Sequence, residues 1–305
     1  MTSVSDRTRP TNPVWFWLRR SPRLWRLANS LVIWRIRATH RYFLGRRKPR
    51  PSELSAHGIT VSFDLTDLSD YLFYRAMIAG GYEEELVELL ADLVRDGDTC
   101  VDIGANRGYL TLVLARLSGP TGVVHAVEPG QKALAELARN LEINGRRENG
   151  LSRIVVHPIA ASDEGGEVRL YSSQVDFTRD SLTQHLGEGV KVRGAALDDE
   201  LGAGTHVRIV KIDAEGAELK TLRGMRKIID ESGDMILILE WNRSYATYEL
   251  WDEIVRRFDV YRITGRRTRA SLEPVSSHKP LRSIENVVCL QRPTATTGSS
   301  VARTP

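Results

Sequence analysis

Two groups of residues in this chain have the types and spacing to do chemistry. The first is Asp102-Ile103-Gly104-Ala105-Asn106-Arg107-Gly108, which closes an apolar run and opens a helical pattern. Gly104 permits a tight turn, Gly108 lets helix and strand pack closely, and the glycines' missing side chains let the backbone of the turn, Gly104-Ala105-Asn106, approach a ligand. The start of a helix adds N–H groups with no partner inside the helix. An acid, Glu128, followed by Pro129, ends the next apolar run. A carboxylate there can accept from both hydroxyls of a ribose. The turn lacks the full GxGxxG spacing that cradles a pyrophosphate, so a nucleoside without phosphates fits better than a dinucleotide.

Asp102 suits an amino group on such a ligand. The loop Ala160-Ala161-Ser162-Asp163 is where an adenine would lie, with Asp163 accepting from its exocyclic amine. Each position has a plainer reading: Asp102 as a turn cap, and Asp163-Glu164-Gly165 as an ordinary hairpin turn. A methyl donor carries a nucleoside of this kind, joined to a sulfonium and a zwitterionic amino acid.

The second group is Lys211-Ile212-Asp213-Ala214-Glu215-Gly216-Ala217-Glu218, together with Glu240 at the end of the following apolar run. Strand carboxyl ends line the ligand crevice of a parallel sheet. Asp213 is therefore the first choice for a proton acceptor, Glu240 the second, and Glu215 lies two residues on. A divalent ion held by these three is compatible with the spacing, although nothing in it demands a metal. Glu218 reads better as helix N-terminal charge, worth ~0.3–1 kcal/mol. Lys211 can neutralise Asp213. His125 and His157 lie inside strand patterns and read as core or edge residues.

A doubly wound α/β sheet is needed to hold these groups. Short continuous apolar runs at 99–103, 122–127, 153–159, 207–212 and 235–239 alternate with helical patterns at 110–117, 131–144, 217–229 and 248–257. That alternation predicts a mostly parallel sheet covered on both faces. Late strands are expected near 260–263 and 287–290. Ahead of the core, residues 51–97 read as a lead-in: a strand at 59–63 and helices at 70–78 and 83–94. Between the third and fourth runs lies a stretch without a strong helix, with strand-like segments at 168–171 and 190–192. It reads as an insertion forming part of a substrate wall. The core is expected over 98–291, and residues 292–305 as a disordered tail.

With the motifs in place, the chain resembles the FkbM family of methyltransferases. The matching residues are Tyr82-Glu83, the turn Asp102–Gly108, Glu128-Pro129, Asn140 with Asn144, Leu197-Asp198-Asp199, Lys211 through Glu218, Gly224 and Glu240. They span roughly residues 80–240, and the family pattern usually has Val where Ala214 stands. The resemblance implies a class I, Rossmann-like fold, S-adenosylmethionine as methyl donor, and O-methylation of a hydroxyl on a sugar, glycolipid or secondary metabolite. The competing readings are an N- or RNA-directed methyltransferase and a non-catalytic donor-binding scaffold at a membrane.

Charge sets the expected partners. Residues 1–50 carry twelve Arg and one Lys against the single acid Asp6, which leaves the remainder at −8 within a whole-chain charge of +4. An acidic body argues against a nucleic-acid groove and for a small-molecule or glycan acceptor. The basic segment interleaves Trp15, Trp17, Trp25 and Trp34 with arginines. Residues 15–47 therefore read first as a helix packed on the body or on a second subunit, next as a peripheral contact with an anionic membrane, and third as a contact with nucleic acid. No apolar run approaches the ~20 residues of a membrane span, and no secretory pattern stands out, so a cytoplasmic location is expected. Cys100 and Cys289 read as reduced core thiols.

Overall fold

Apolar runs without polar alternation have to be covered on both faces, and in the computed structural model they are. Its described residues are 34–45, 52–79, 82–147, 150–172, 180–181, 189–202, 204–264 and 271–293. The expected tail beyond 293, and the basic segment except for 34–45, lie outside them.

Residues 34–45 form a helix, α1. The lead-in follows as a hairpin, β1 (Ser52–Ala56) and β2 (Ile59–Phe63), then α2 (Leu68–Ile78) and α3 (Glu84–Leu93). The core begins with β3 (Thr99–Ile103), α4 (Tyr109–Leu117), β4 (Val123–Val127), α5 (Gln131–Arg147) and β5 (Arg153–His157). After an inserted segment come β10 (Ile209–Ile212), α7 (Glu218–Arg223), α8 (Arg226–Ser232), β11 (Ile236–Asn242) and α9 (Tyr248–Arg257). Three strands close the chain: β12 (Phe258–Thr264), β13 (Ser271–Pro274) and β14 (Ile284–Gln291).

Among the described residues the main sheet has the order β13-β12-β14-β11-β10-β3-β4-β5. The central pairs β11–β10, β10–β3, β3–β4 and β4–β5 are parallel, whereas β14 pairs antiparallel with both β11 and β12. Chain order reverses direction beside β3, which is the topological switch point where α/β sheets bind ligands. Alternation along each strand divides the core in two. Val101, Ile103, Val210, Ile212 and Leu239 pack on one face, and Cys100, Ile209, Ile236, Ile238 and Val288 on the other. The lead-in covers the second face through Phe63, Phe73, Leu86 and Leu90. Both cysteines are buried and unbonded, and burial pushes the Cys100 thiol up to about 12.

Asn140 and Asn144 tie the lead-in to the core. Asn140 accepts from Ser62 N at 2.9 Å and donates to Arg107 O at 2.8 Å. Asn144 accepts from Thr60 N and donates to Thr60 O, at 2.8 and 2.7 Å. Both amides are buried, so losing one would leave backbone groups of β2 unsatisfied.

The inserted segment differs in detail from expectation. Its strands β6 (Ala160–Ala161), β7 (Gly166–Ser172), β8 (Asp180–Ser181) and β9 (Val190–Ala195) make a separate small sheet in the order β6-β9-β7-β8. A short helix, α6 (Leu197–Glu200), leads out of it. The helix expected over 217–229 is two helices, broken at Gly224-Met225. The break lets the chain pass close to the insertion: a Cβ on Gly224 would lie 1.8 Å from Ser162 O. Asp198 accepts from Lys227 N and Ile228 N, closing the start of α8 from outside.

Candidate active site

A cavity of about 720 Å³ opens along the carboxyl ends of β3, β4, β10 and β11. Its floor is the turn after β3 with Glu128, Pro129, Asp213, Ala214, Glu215 and Glu240. Its roof comes from the lead-in, with Leu72, Phe73 and Ala76 of α2 followed by Tyr82 and Glu83. This size suits a small ligand with room beside it.

The glycine turn is shaped by close approach. Gly104 has φ +77°, and a Cβ there would lie 2.0 Å from Asp213 O. Only glycine allows the turn after β3 to meet the turn after β10. Gly108, at φ +85°, has a different neighbour from the strand expected: a Cβ would lie 2.3 Å from Leu137 Cδ1, so it fits α4 against α5. Gly104 N and Ala105 N both donate to Val127 O. Asn106, itself left-handed at φ 49°, donates its N–H to Glu128 Oε2 at 2.9 Å. Gly130 N donates to Glu128 Oε1 at 2.7 Å. The carboxylate thus joins two turns on the floor of the cavity.

Asp102 is buried in the cavity wall. Its Oδ2 accepts from Thr111 Oγ1 at 2.6 Å, while Oδ1 has no partner among the described residues. Burial pushes its carboxyl above the usual range, and Lys211 opposes that push. Lys211 sits opposite Asp102 in the β3–β10 register, and its Nζ donates to Asp213 Oδ2 at 3.1 Å. Asp213 Oδ1 is likewise buried without a partner among the described residues. An unsatisfied buried carboxylate oxygen is costly, and a cationic or donating ligand group would relieve it. Asp213, Glu215 and Glu240 offer oxygens within 4.8 Å of one another, close enough for a divalent ion.

The roof is locked by ion pairs. Arg107, buried, reaches Asp70 Oδ1 at 2.6 Å and Glu136 Oε2 at 3.3 Å, and its guanidinium lies 4.9 Å from the Phe73 ring centre. Lys132 reaches Asp67 at 2.8 Å near the mouth.

Asp102, Gly104, Ala105, Asn106, Glu128, Pro129, Asp213, Glu215 and Glu240 all border this one cavity. Gly108 stands behind the turn. Ser162 and Asp163 are not among the lining residues, and the wall there is formed by Ile159, Ala160 and Ala161. Ser162 is buried, with its hydroxyl donating to the exposed Asp163 at 3.1 Å. Glu218 accepts from Gly216 N at 2.9 Å, bracing its own turn. His125 and His157 pair with each other at 2.9 Å in neighbouring strands, and burial lowers His125 to about 4.

Tyr82, Glu83 and Phe73 are among the lining residues that local patterns did not assign to the site. Tyr82-Glu83 had a signal only as part of the family resemblance, because a dipeptide ahead of a helix has no chemistry of its own.

Among curated proteins none matches the chain. Solved structures similar to it include methyltransferase FkbM from Methylobacillus flagellatus KT (18% identity, TM-score 0.44, 64% of this chain and 44% of that one). Others are a TehB-like SAM-dependent methyltransferase from Corynebacterium glutamicum (10%, 0.42, 73% and 95%) and a SAM-dependent O-methyltransferase from Thermotoga maritima (14%, 0.41, 82% and 81%). The chain thus spans less than half the length of the Methylobacillus protein. The methyltransferase FkbM domain model matches residues 102–263, from Asp102 at the glycine turn through the late strand β12 and more than half of the 305 residues. This chain belongs to the FkbM family of S-adenosylmethionine-dependent methyltransferases.

Proposed function

We propose that the chain methylates a hydroxyl of a sugar, glycolipid or secondary metabolite, with the donor between the glycine turn and Glu128 and the acceptor under the roof. The observation that carries this reading is the pair of buried, unpartnered carboxylate oxygens on Asp102 and Asp213, which border the same cavity. Asp102 Oδ1 fits the donor's ammonium, and Glu128 on the cavity floor is the carboxylate assigned to the ribose hydroxyls. When bound, S-adenosylmethionine supplies a methyl group made electrophilic by its sulfonium. The chain's own part is to position and to take a proton. As the new C–O bond forms, the acceptor's hydroxyl proton becomes acidic, and Asp213 is the carboxylate assigned to receive it, with Glu240 adjacent. Lys211 fixes Asp213 in place. Closing the oxygen and methyl carbon into line supplies much of the rate in any such displacement.

The test is methyl transfer from labelled donor to a panel of hydroxylated sugars, glycolipids and alcohols, with amines and RNA beside them. Label on a hydroxyl class supports the reading, and transfer confined to amines or RNA overturns it.

A second proposal concerns location. Residues 15–47 are assigned to an anionic membrane surface on their charge and tryptophans. Trp34 and Tyr42 of α1 are 68% and 61% exposed, beside exposed Arg35 and Arg41. No helix among the described residues is long and apolar enough to cross a membrane. The full chain should co-sediment with phosphatidylserine-rich vesicles and lose that binding in high salt. Equal recovery with neutral vesicles would refute it.

A further inference from the structure

The helix α1, within the basic segment, sits at the rim of the cavity. Along it Ile36, His40, Phe43 and Leu44 recur at i, i+4, i+7 and i+8 and form a buried to half-buried stripe. His40 Nε2 donates to Leu65 O at 2.9 Å, two residues ahead of Asp67. The His40 ring lies 4.8 Å from that of Tyr71 on α2, and the Phe43 ring lies 5.1 Å from it. Asp67 and its partner Lys132 line the cavity at its mouth, and Leu72 and Phe73, which follow Tyr71, belong to the roof. One face of α1 is thus fastened to the element that covers the site.

The other face has a different composition. Trp34, Arg35, Arg41 and Tyr42 are all exposed. At 3.6 residues per turn they fall within an arc of about 120°, across the helix from the docked stripe. Two large rings flanked by guanidinium groups match the boundary of an anionic bilayer, where rings settle among headgroups and arginines pair with phosphates. Charge elsewhere sharpens the match. Residues 1–50 carry +12 and the remainder carries −8, so an anionic surface attracts the α1 side of the molecule and repels the rest.

We propose that α1 docks on an anionic lipid surface through this face and, being fixed to α2, turns the opening of the cavity toward that surface. The inference rests on the location reading above and adds the contact face and the orientation to it. An acceptor held in the bilayer then lies beside the opening, and the amino-terminal edge of the sheet is directed away.

Single introduced cysteines carrying an environment-sensitive fluorophore test this on the full chain, because Cys100 and Cys289 are buried and stay unlabelled. Thr66→Cys reports the rim beside Leu65, and Thr121→Cys reports an exposed turn between α4 and β4 at the opposite edge. On mixed phosphatidylserine–phosphatidylcholine vesicles the label at 66 should shift to the blue and lose emission to doxyl-labelled lipid, and the label at 121 should do neither. Trp34→Ser combined with Tyr42→Ser, both at exposed positions, should weaken vesicle binding about tenfold or more. Equal response at both labels, or response at 121 alone, overturns the orientation and leaves the membrane contact standing. Unchanged vesicle binding by the double variant overturns the assignment to this face. A parent dimer in sedimentation that the double substitution dissociates gives the face to a second copy and overturns the proposal. A parent that ignores the vesicles removes the location reading itself.

Discussion

At the glycine turn, polar groups are answered by backbone: Glu128 takes N–H groups from Asn106 and Gly130, and Val127 O takes those of Gly104 and Ala105. Under the roof the reverse holds. Oxygens of Asp102 and Asp213 are buried without partners among the described residues, and Lys211 stands beside them. The first region is finished before any ligand arrives, and it positions by shape. The second is left electrostatically incomplete, and it recognises by charge. Asp102 stands where the two meet, with one oxygen answered by Thr111 and the other open.

Breaking the finished region should have the largest effect. Gly104→Ala places a Cβ 2.0 Å from Asp213 O in a left-handed backbone. The expected cost is about 3 kcal/mol or more, or roughly 6 °C or more in melting temperature. A variant that melts with the parent would show that the turns after β3 and β10 can part freely.

Within the incomplete region, two substitutions should separate chemistry from binding. Asp213→Asn should lower turnover about a hundredfold or more, measured on whichever acceptor the panel identifies, with S-adenosylhomocysteine affinity nearly unchanged. Asp102→Asn should do less, weakening all donor ligands about tenfold and to the same degree, since the ammonium is common to them. If Asp102→Asn instead left S-adenosylhomocysteine affinity unchanged, the ammonium assignment would fail.

Those contrasts mirror how each part could be read beforehand. The turn at 102–108 and the acid at Glu128 were legible because a strand end, two glycines and the next strand's end recur at short spacing. The parallel core was legible from its unbroken apolar runs. Gly224 was not, because a glycine inside a helical pattern looks tolerable until Ser162 O is found pressing against it. Ser162 and Asp163 follow the third strand as an adenine loop should, but the residues that line the cavity there are Ile159, Ala160 and Ala161, just ahead of them. Asn140 and Asn144 belong to the family pattern and yet serve the hairpin, clamping β2 from 78 and 84 residues away.

Residue order alone determined the family, the parallel sheet and the carboxyl-end placement of Asp102, Glu128, Asp213 and Glu240, because these follow from local periodicity and from where each strand stops. Only the tertiary structure decided that Glu83 joins them. Asp102, Asp213 and Asn286 come from separate segments of the chain, and a cavity they share with Glu83 exists only once those segments are packed together.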